Sequence, residues 1–359
     1  MAGRVVVFGA TGYTGRLTVE AMLRRGLRPV LAGRRADALA ETASALGGGL
    51  ETAVADVARP ETVRALVERG DVLVSTVGPF VRWGEPAVRA ALDAGAHYLD
   101  STGETAFIRR VFEEWGPAAR DAALLTAMGF DWVPGNLAGG MALAEAGPGA
   151  VRVDVGYYVR GKIAVSGGTR ASAVGAMLAP SYAFRGGAIV DERSGARVRS
   201  FDVGGRERPA VSVGSVEAFS LPRAFAGVRD VDVYLGALGS ASRAMSIVSR
   251  GFELPGVRRG LGAVASRLVK GSTGGPDAEA RARSSSHVVA VASDGDGRAL
   301  ATVHLDGANV YDFTFAMLAW AAEAVREGAL KGTGALGPVE AFGLDLLREG
   351  CAEAGMTRV

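Results

Sequence analysis

Sulfur and imidazole are scarce: the 359-residue chain carries one cysteine, Cys351, and three histidines. A single cysteine excludes an intrachain disulfide and a thiolate metal site. His97 begins a buried-looking strand, and the alternation around His287 and His304 makes them sheet residues. No His, Cys and carboxylate set has ligand spacing, so no metal is expected. No Ser-His-Asp order stands out, which leaves a hydrolase without support. Charge of one sign is also missing, with Lys plus Arg at 40 against 38 for Asp plus Glu. Nothing therefore favours nucleic acid or another polyanion as partner. No apolar run approaches the roughly 18 uncharged residues of a membrane span. The first strand begins within a few residues of Met1, leaving no room for a signal peptide, so a cytoplasmic protein is expected.

What is present is apolar sequence in a regular rhythm. Apolar residues make up 48% of the chain, enough for a sizeable core, and the length suits two domains or one with a large insertion. Strand-like runs at 4–10, 28–34, 50–57, 71–78, 96–102 and 123–130 alternate with helical patterns at 15–26, 36–46, 60–70, 85–95 and 105–122. Strands apolar on both faces and separated by helices predict a parallel, doubly wound sheet. From 151 the pattern turns to period two, in "VRVDVGYYVRG", "ARVRSFDVGG", "PAVSVGSVEAFSL", "VDVYLGAL", "SSHVVAVASD" and "ALATVHLDG". That predicts a second, antiparallel sheet with one wet face. Helical patterns at 169–179 and 241–271 interrupt it, and two more, 312–330 and 338–355, close the chain. The domain boundary is expected within 130–150.

The first strand runs into "GATGYTG", which places Gly9, Gly12 and Gly15 at a strand–helix turn. Such a turn aims backbone N–H groups and a helix dipole at an anion. Gly9 permits the turn, Gly12 lets a diphosphate approach, and Gly15 lets the helix pack close, with Thr11, Tyr13 and Thr14 completing the loop. The second strand ends in "AGRR" rather than in the acid that an NAD site uses for the ribose hydroxyls. Arg34 and Arg35 suit a 2′-phosphate instead, which predicts NADP. Asp56 ends the third strand near the expected adenine. Val77, Gly78 and Pro79 end the fourth on the nicotinamide side, as backbone contacts or turn formers.

The glycine spacing is also that of short-chain dehydrogenases, and Tyr158 and Lys162 reproduce their Tyr-x-x-x-Lys pair. In that family the pair shares a helix face; here it lies on a strand, where four residues span about 13 Å. The stronger resemblance rests on "GATGYTGRL", "LAGRR", "VGPF", "HYLDSTGE", "GFDWVPGN", "SGGTRAS", "GPDAEAR", "YDFTFAMLAWAAEA" and "GPVEAFG", in that order along nearly the whole chain. In these the chain resembles the saccharopine dehydrogenase-like reductases, especially their trans-acting enoyl reductase branch. The resemblance implies an α/β protein with an NADP-binding Rossmann domain at 1–130. It also implies an α+β substrate domain at 131–310 and C-terminal helices at 311–359 that return to the first domain.

Hydride transfer further needs a group that supplies a proton or steadies developing charge. Tyr98 and Asp100 in "HYLDSTGE" are candidates, although Asp100 also reads as a turn cap; Glu104 reads as a loop anchor and Asp131 as a further acid. On the substrate side, Tyr157, Tyr158 and Lys162 are candidate proton donors, and Thr169 offers a hydroxyl or a plain helix cap. The expected reaction is NADPH-dependent reduction of an activated C=C bond, such as an enoyl thioester. The alternatives are reduction of an imine and a non-catalytic cofactor-binding assembly partner. The substrate would be a small molecule or one carried by another protein. The basic apolar stretch 241–271 could dock an acyl carrier protein or a membrane surface, or be a solvated helix face. The sequence is compatible with an oligomer.

Overall fold

The computed structural model describes residues 3–162, 166–167, 180–236 and 274–359. Thr169, the helical expectations at 169–179 and 241–271, and the basic docking stretch fall outside the described residues.

Seven parallel strands form the first sheet, in the order β15-β6-β5-β4-β1-β2-β3. They are β1 (Val5–Phe8), β2 (Val30–Gly33), β3 (Thr52–Val54), β4 (Val72–Ser75), β5 (His97–Asp100), β6 (Ala123–Leu125) and β15 (Gly334–Ala335). Each residue of β1, β2 and β4 is buried, as a sheet covered on both faces requires. The intervening helices are α1 (Tyr13–Arg24), α2 (Ala36–Ala45), α3 (Pro60–Arg64), α4 (Phe80–Trp83), α5 (Glu85–Ala94) and α6 (Thr105–Arg110). The helix expected over 105–122 stays α-helical only to Arg110, then loosens into a π-turn at Val111–Trp115 and a 3₁₀ turn at Gly116–Ala118. Strand β15 was not expected. It comes from the C-terminal segment and pairs with β6 through Gly334 and Ala335 alone, too few residues to show a pattern.

The second sheet has nine strands, seven of them in the order β10-β11-β12-β7-β13-β14-β16, with β8 beside β12 and β9 beside β8. They are β7 (Arg152–Gly161), β8 (Pro180–Arg185), β9 (Ala188–Arg193), β10 (Val198–Asp202), β11 (Glu207–Val213), β12 (Asp230–Leu235), β13 (Ser284–Ser293), β14 (Ala299–Gly307) and β16 (Met356–Arg358). It is mixed, which corrects the antiparallel expectation: β12 runs parallel to β7, with Asp232 opposite Asp154. The long crossover between the two strands supplies the length that parallel pairing demands. The stretch 209–221 is also corrected, because its second half is a helix, Glu217–Ala224, that buries Glu217, Ala218 and Leu221 on one side. The β8–β9 hairpin went unforeseen, although Gly186 and Gly187, at φ 59° and 89°, make a two-residue turn with both residues left-handed.

Helix α7 (Val133–Ala146) is buried from Val133 to Gly140 and packs on β7, β13 and β14 of the second sheet. The long C-terminal helix Val310–Arg326 packs on α1, β4 and β5, while β16 pairs with β14. The chain's end therefore serves both sheets. One apolar core joins β1, β4, α7 and the Val153, Val155 and Tyr157 side of β7, and a smaller cluster of Tyr158, Phe201 and Tyr234 occupies the other side. The two-residue period of β7 separates those sides and becomes decisive in the site.

Candidate functional site

The glycine loop leaves β1 at Gly9, whose φ of 93° is open to glycine and costly for other residues. Its N–H donates to Ala32 O at 2.9 Å, and Gly12 N donates back to Gly9 O at 2.9 Å, closing the turn. A Cβ on Gly15 would overlap the Gly9 carbonyl, so only glycine lets α1 start this close to the sheet. Helix α1 carries no side-chain cap and no acid in its first turn, which leaves its N-terminal donors and dipole for an anionic ligand. Thr11 and Gly12 are exposed, and Tyr13 and Thr14 half-buried. The end of β4 touches the loop, because Thr76 Oγ1 donates to Gly9 O at 3.3 Å. Val77, Gly78 and Pro79 follow at the neighbouring strand end, where the strand order reverses across β1 and β4 and a doubly wound sheet opens its crevice.

Arg34 and Arg35 are both exposed after β2. Neither forms an ion pair with a described residue, so their guanidinium groups remain available to a phosphate. With the uncapped helix start beside them, the donor set fits a phosphorylated dinucleotide. Asp56 Oδ1 accepts from Ala58 N at 3.0 Å and holds the turn after β3.

At the ends of β5 and β6 the polar groups are tightly held. Asp100 is fully buried and accepts from Thr102 N at 2.9 Å, Ala127 N at 2.8 Å and Thr126 Oγ1 at 2.8 Å. Burial outweighs these donors and pushes its carboxyl up to about 6. Glu104 caps the short α4, receiving Phe80 N and Val81 N at 2.9 Å each, and so ties the loop after β5 to the loop after β4. Tyr98 lies wholly inside the first domain, with its ionisation driven well upward by burial.

The second sheet presents a tyrosine other than the one the sequence favoured. Tyr158 faces the smaller cluster, where its hydroxyl donates to Arg208 O at 2.7 Å. Strand parity turns it away from the glycine loop. Lys162 is exposed just past β7, and these residues do not assemble with Tyr98 and Asp100. Tyr157 faces the first domain instead. Its hydroxyl donates to Glu217 Oε1 at 2.6 Å and accepts from Gly135 N at 2.7 Å, at the start of α7. Glu217 is fully buried, and burial raises its carboxyl to about 7. It was missed in the sequence, where the stretch 209–221 reads as one alternating strand.

A further contact joins the cofactor loop to distant chain. Tyr13 Oη donates to Pro276 O at 2.6 Å, and its ring meets Tyr311 and Phe315 edge-on. The histidines behave as sheet residues: His287 contacts Asp306 at 2.5 Å and His304 at 3.3 Å. No metal-ligand group occurs among the described residues. None of their helices is long and apolar enough to cross a membrane.

Comparison with known proteins is in line with this geometry. Residues 5–127 match the family described as the saccharopine dehydrogenase NADP binding domain. A Mycobacterium tuberculosis (strain ATCC 25618 / H37Rv) protein provisionally named a trans-acting enoyl reductase is 40% identical over 179 residues, covering 47% of this chain and 42% of that protein. A trans-acting enoyl reductase of Mycobacterium leprae (strain TN) is 38% identical over 140 residues, covering 37% of this chain and 34% of that one. The chain thus spans less than half the length of these curated relatives. Among solved structures, apo saccharopine dehydrogenase (L-Glu forming) from Saccharomyces cerevisiae shares the fold at a TM-score of 0.57 and 12% identity, over 99% of this chain and 100% of that one.

Proposed function

From a chain whose residues 5–127 are a saccharopine dehydrogenase-type NADP-binding domain, we propose an NADPH-dependent reductase that acts on the activated C=C bond of an enoyl thioester. The observation that carries the cofactor is the pairing of an uncapped α1 start with two exposed arginines after β2 that have no ion pair among the described residues. The names of the relatives that match at 40% and 38% identity support the substrate class. Bound NADPH supplies the hydride. The protein's part is to seat the diphosphate on Gly9–Gly15 and the 2′-phosphate on Arg34 and Arg35, and to hold the acceptor over the ends of β4, β5 and β6. The relatives act in trans by name, which supports a substrate tethered to another protein, and the basic stretch 241–271 is the docking candidate for an acidic carrier.

The test is oxidation of NADPH by the purified chain with a crotonyl thioester, beside an imine panel and an NADH control. Turnover of the thioester with NADPH preferred is expected. Turnover of imines alone would move the protein to C=N reduction. Binding of NADPH without turnover of either class would make it a non-catalytic partner.

A further inference from the structure

Reduction of an enoyl group takes up a hydride and a proton, and the glycine loop and arginines offer no acid for the second. Asp100 is unsuited, with three donors already on its carboxyl. Asp131 differs in each respect. It follows Phe130 just past β6, two strands from β4 and hence about 10 Å along the same sheet edge. Residues 122–140 are buried throughout except for Asp131, which alone keeps solvent exposure. Its neighbour is the loop after β5, close enough that a Cβ on Gly103 would lie 2.8 Å from Asp131 Oδ2. Its carboxyl accepts no hydrogen bond from any described residue, and burial without an opposing partner pushes it up to about 6.

Behind it stands the Tyr157–Glu217 pair. The Tyr157 hydroxyl has two acceptors within reach, Glu217 Oε1 at 2.6 Å and Trp132 O at 3.1 Å, yet only one proton to give. With Glu217 ionised, Tyr157 donates to it; with Glu217 protonated, that carboxyl can donate to the hydroxyl, which then turns to Trp132 O. The Trp132 carbonyl belongs to the residue next to Asp131. The Asp131 charge raises the ionisation of both Tyr157 and Glu217, so the three groups share one field. Asp131 acts on these two groups, while its own shift comes from burial alone.

We propose that Asp131 is the proton donor of the reductase reaction, with Tyr157 and Glu217 as its buried neighbours across the Trp132 carbonyl. This rests on the proposed reductase reading. The hydride adds to the β-carbon, the Asp131 O–H bond breaks, a C–H bond forms at the α-carbon, and solvent reprotonates the carboxylate.

The test compares wild type, Asp131→Asn, Asp131→Glu and Glu217→Gln with NADPH and a crotonyl thioester across pH 5–9. Asp131→Asn should lower kcat by about a hundredfold or more, leave NADPH affinity unchanged, and abolish the fall in rate on the alkaline side. Asp131→Glu should restore part of kcat. Glu217→Gln replaces a carboxyl that is still protonated while Asp131 ionises, so it should keep most of kcat and leave the alkaline limb in place. Difference infrared spectra of wild type against Asp131→Asn, with NADP bound, should show a carboxyl that ionises near neutrality. Full kcat with an unaltered profile in Asp131→Asn, or a carboxyl ionised throughout pH 5–8, overturns the donor while the reductase reading stands. Absence of wild-type turnover on thioester and imine alike overturns both.

Discussion

The two sheets handle charge in opposite ways. Around the first, Arg34 and Arg35 stand exposed with no ion pair among the described residues, and the start of α1 has no capping side chain. In the second, Asp154 and Asp232 are fully buried and ringed by Arg152, Arg185, Arg197 and Arg199. Arg152 contacts Asp232 at 2.7 Å, and Arg185 and Arg197 each reach it at 2.6 Å. Arginines abound in both places, so residue type alone does not separate them. What separates them is whether the donors are already used. A satisfied array holds adjacent parallel strands together, whereas open donors at a strand end wait for a ligand.

The sharpest way to break this contrast is Asp232→Ala. It would leave three arginines facing an empty buried position, a loss expected at about 3–5 kcal/mol of stability. NADPH affinity should not change in the molecules that remain folded. Urea unfolding and a cofactor titration check the two halves; a near-neutral stability effect would make the array a surface feature after all. The converse is Arg34→Ala with Arg35→Ala. Stability should shift by no more than about 0.5 kcal/mol, as at other exposed sites. NADPH affinity should fall about a hundredfold with NADH binding unaltered, the loss expected for charge-assisted contacts to a phosphate. Equal losses for both cofactors would remove the arginines from the 2′-phosphate.

The same contrast governs what the sequence could disclose. Strands β1, β2 and β4 were legible because burial on both faces writes continuous runs such as "VVVF" and "VLVS" between helices, and the exposed edge strand β3 followed from the strand–helix alternation. The glycine loop and Arg34 with Arg35 were legible because their chemistry is local to one strand–helix turn. The second sheet hid its logic in parity. Tyr157 and Tyr158 are adjacent and chemically identical, and only the packing of β7 decides which of them faces the cofactor domain. Glu217 was hidden because the alternating pattern of 209–221 runs on without a break, and only the helix Glu217–Ala224 brings its carboxylate to Tyr157. The two-residue β15 carries too little pattern to be found. The paired glycines 186 and 187 were a readable signal of the β8–β9 hairpin.

The buried acids give the contrast a pH dependence. Glu217 is raised to about 7 by burial, so the folded state holds its proton where the unfolded chain has released it. Its contribution is then fully present below the ordinary carboxylate range and lost as pH rises through about 7. Wild type should therefore lose stability between pH 5 and 7.5 by ~2 kcal/mol relative to Glu217→Gln. Denaturant unfolding of both proteins at the two pH values checks the sign. Parallel pH slopes would mean that Glu217 is ionised in the folded protein and that the hydroxyl of Tyr157 is locked in one orientation.

The smallest effect lies at the seam between the two regions. Tyr13 belongs to the glycine loop by sequence, yet its hydroxyl donates to Pro276 O and accepts from Arg281 Nη1 at 3.3 Å. Arg281 is held in turn by Asp312 at 2.7 Å, on the helix that also supplies Tyr311 and Phe315 to the Tyr13 ring. Tyr13→Phe keeps those ring contacts and removes two hydrogen bonds, the one to Pro276 and the longer one from Arg281, a loss of about 1 kcal/mol. Arg281 retains Asp312 and the Pro276 carbonyl, so no charge is left unpaired. If Tyr13 is a tie between loop and strap, NADPH affinity should stay within a factor of about two while stability falls by that amount. A tenfold loss of affinity at unchanged stability would instead place the hydroxyl on the cofactor, and would require it to leave Pro276 when NADPH binds.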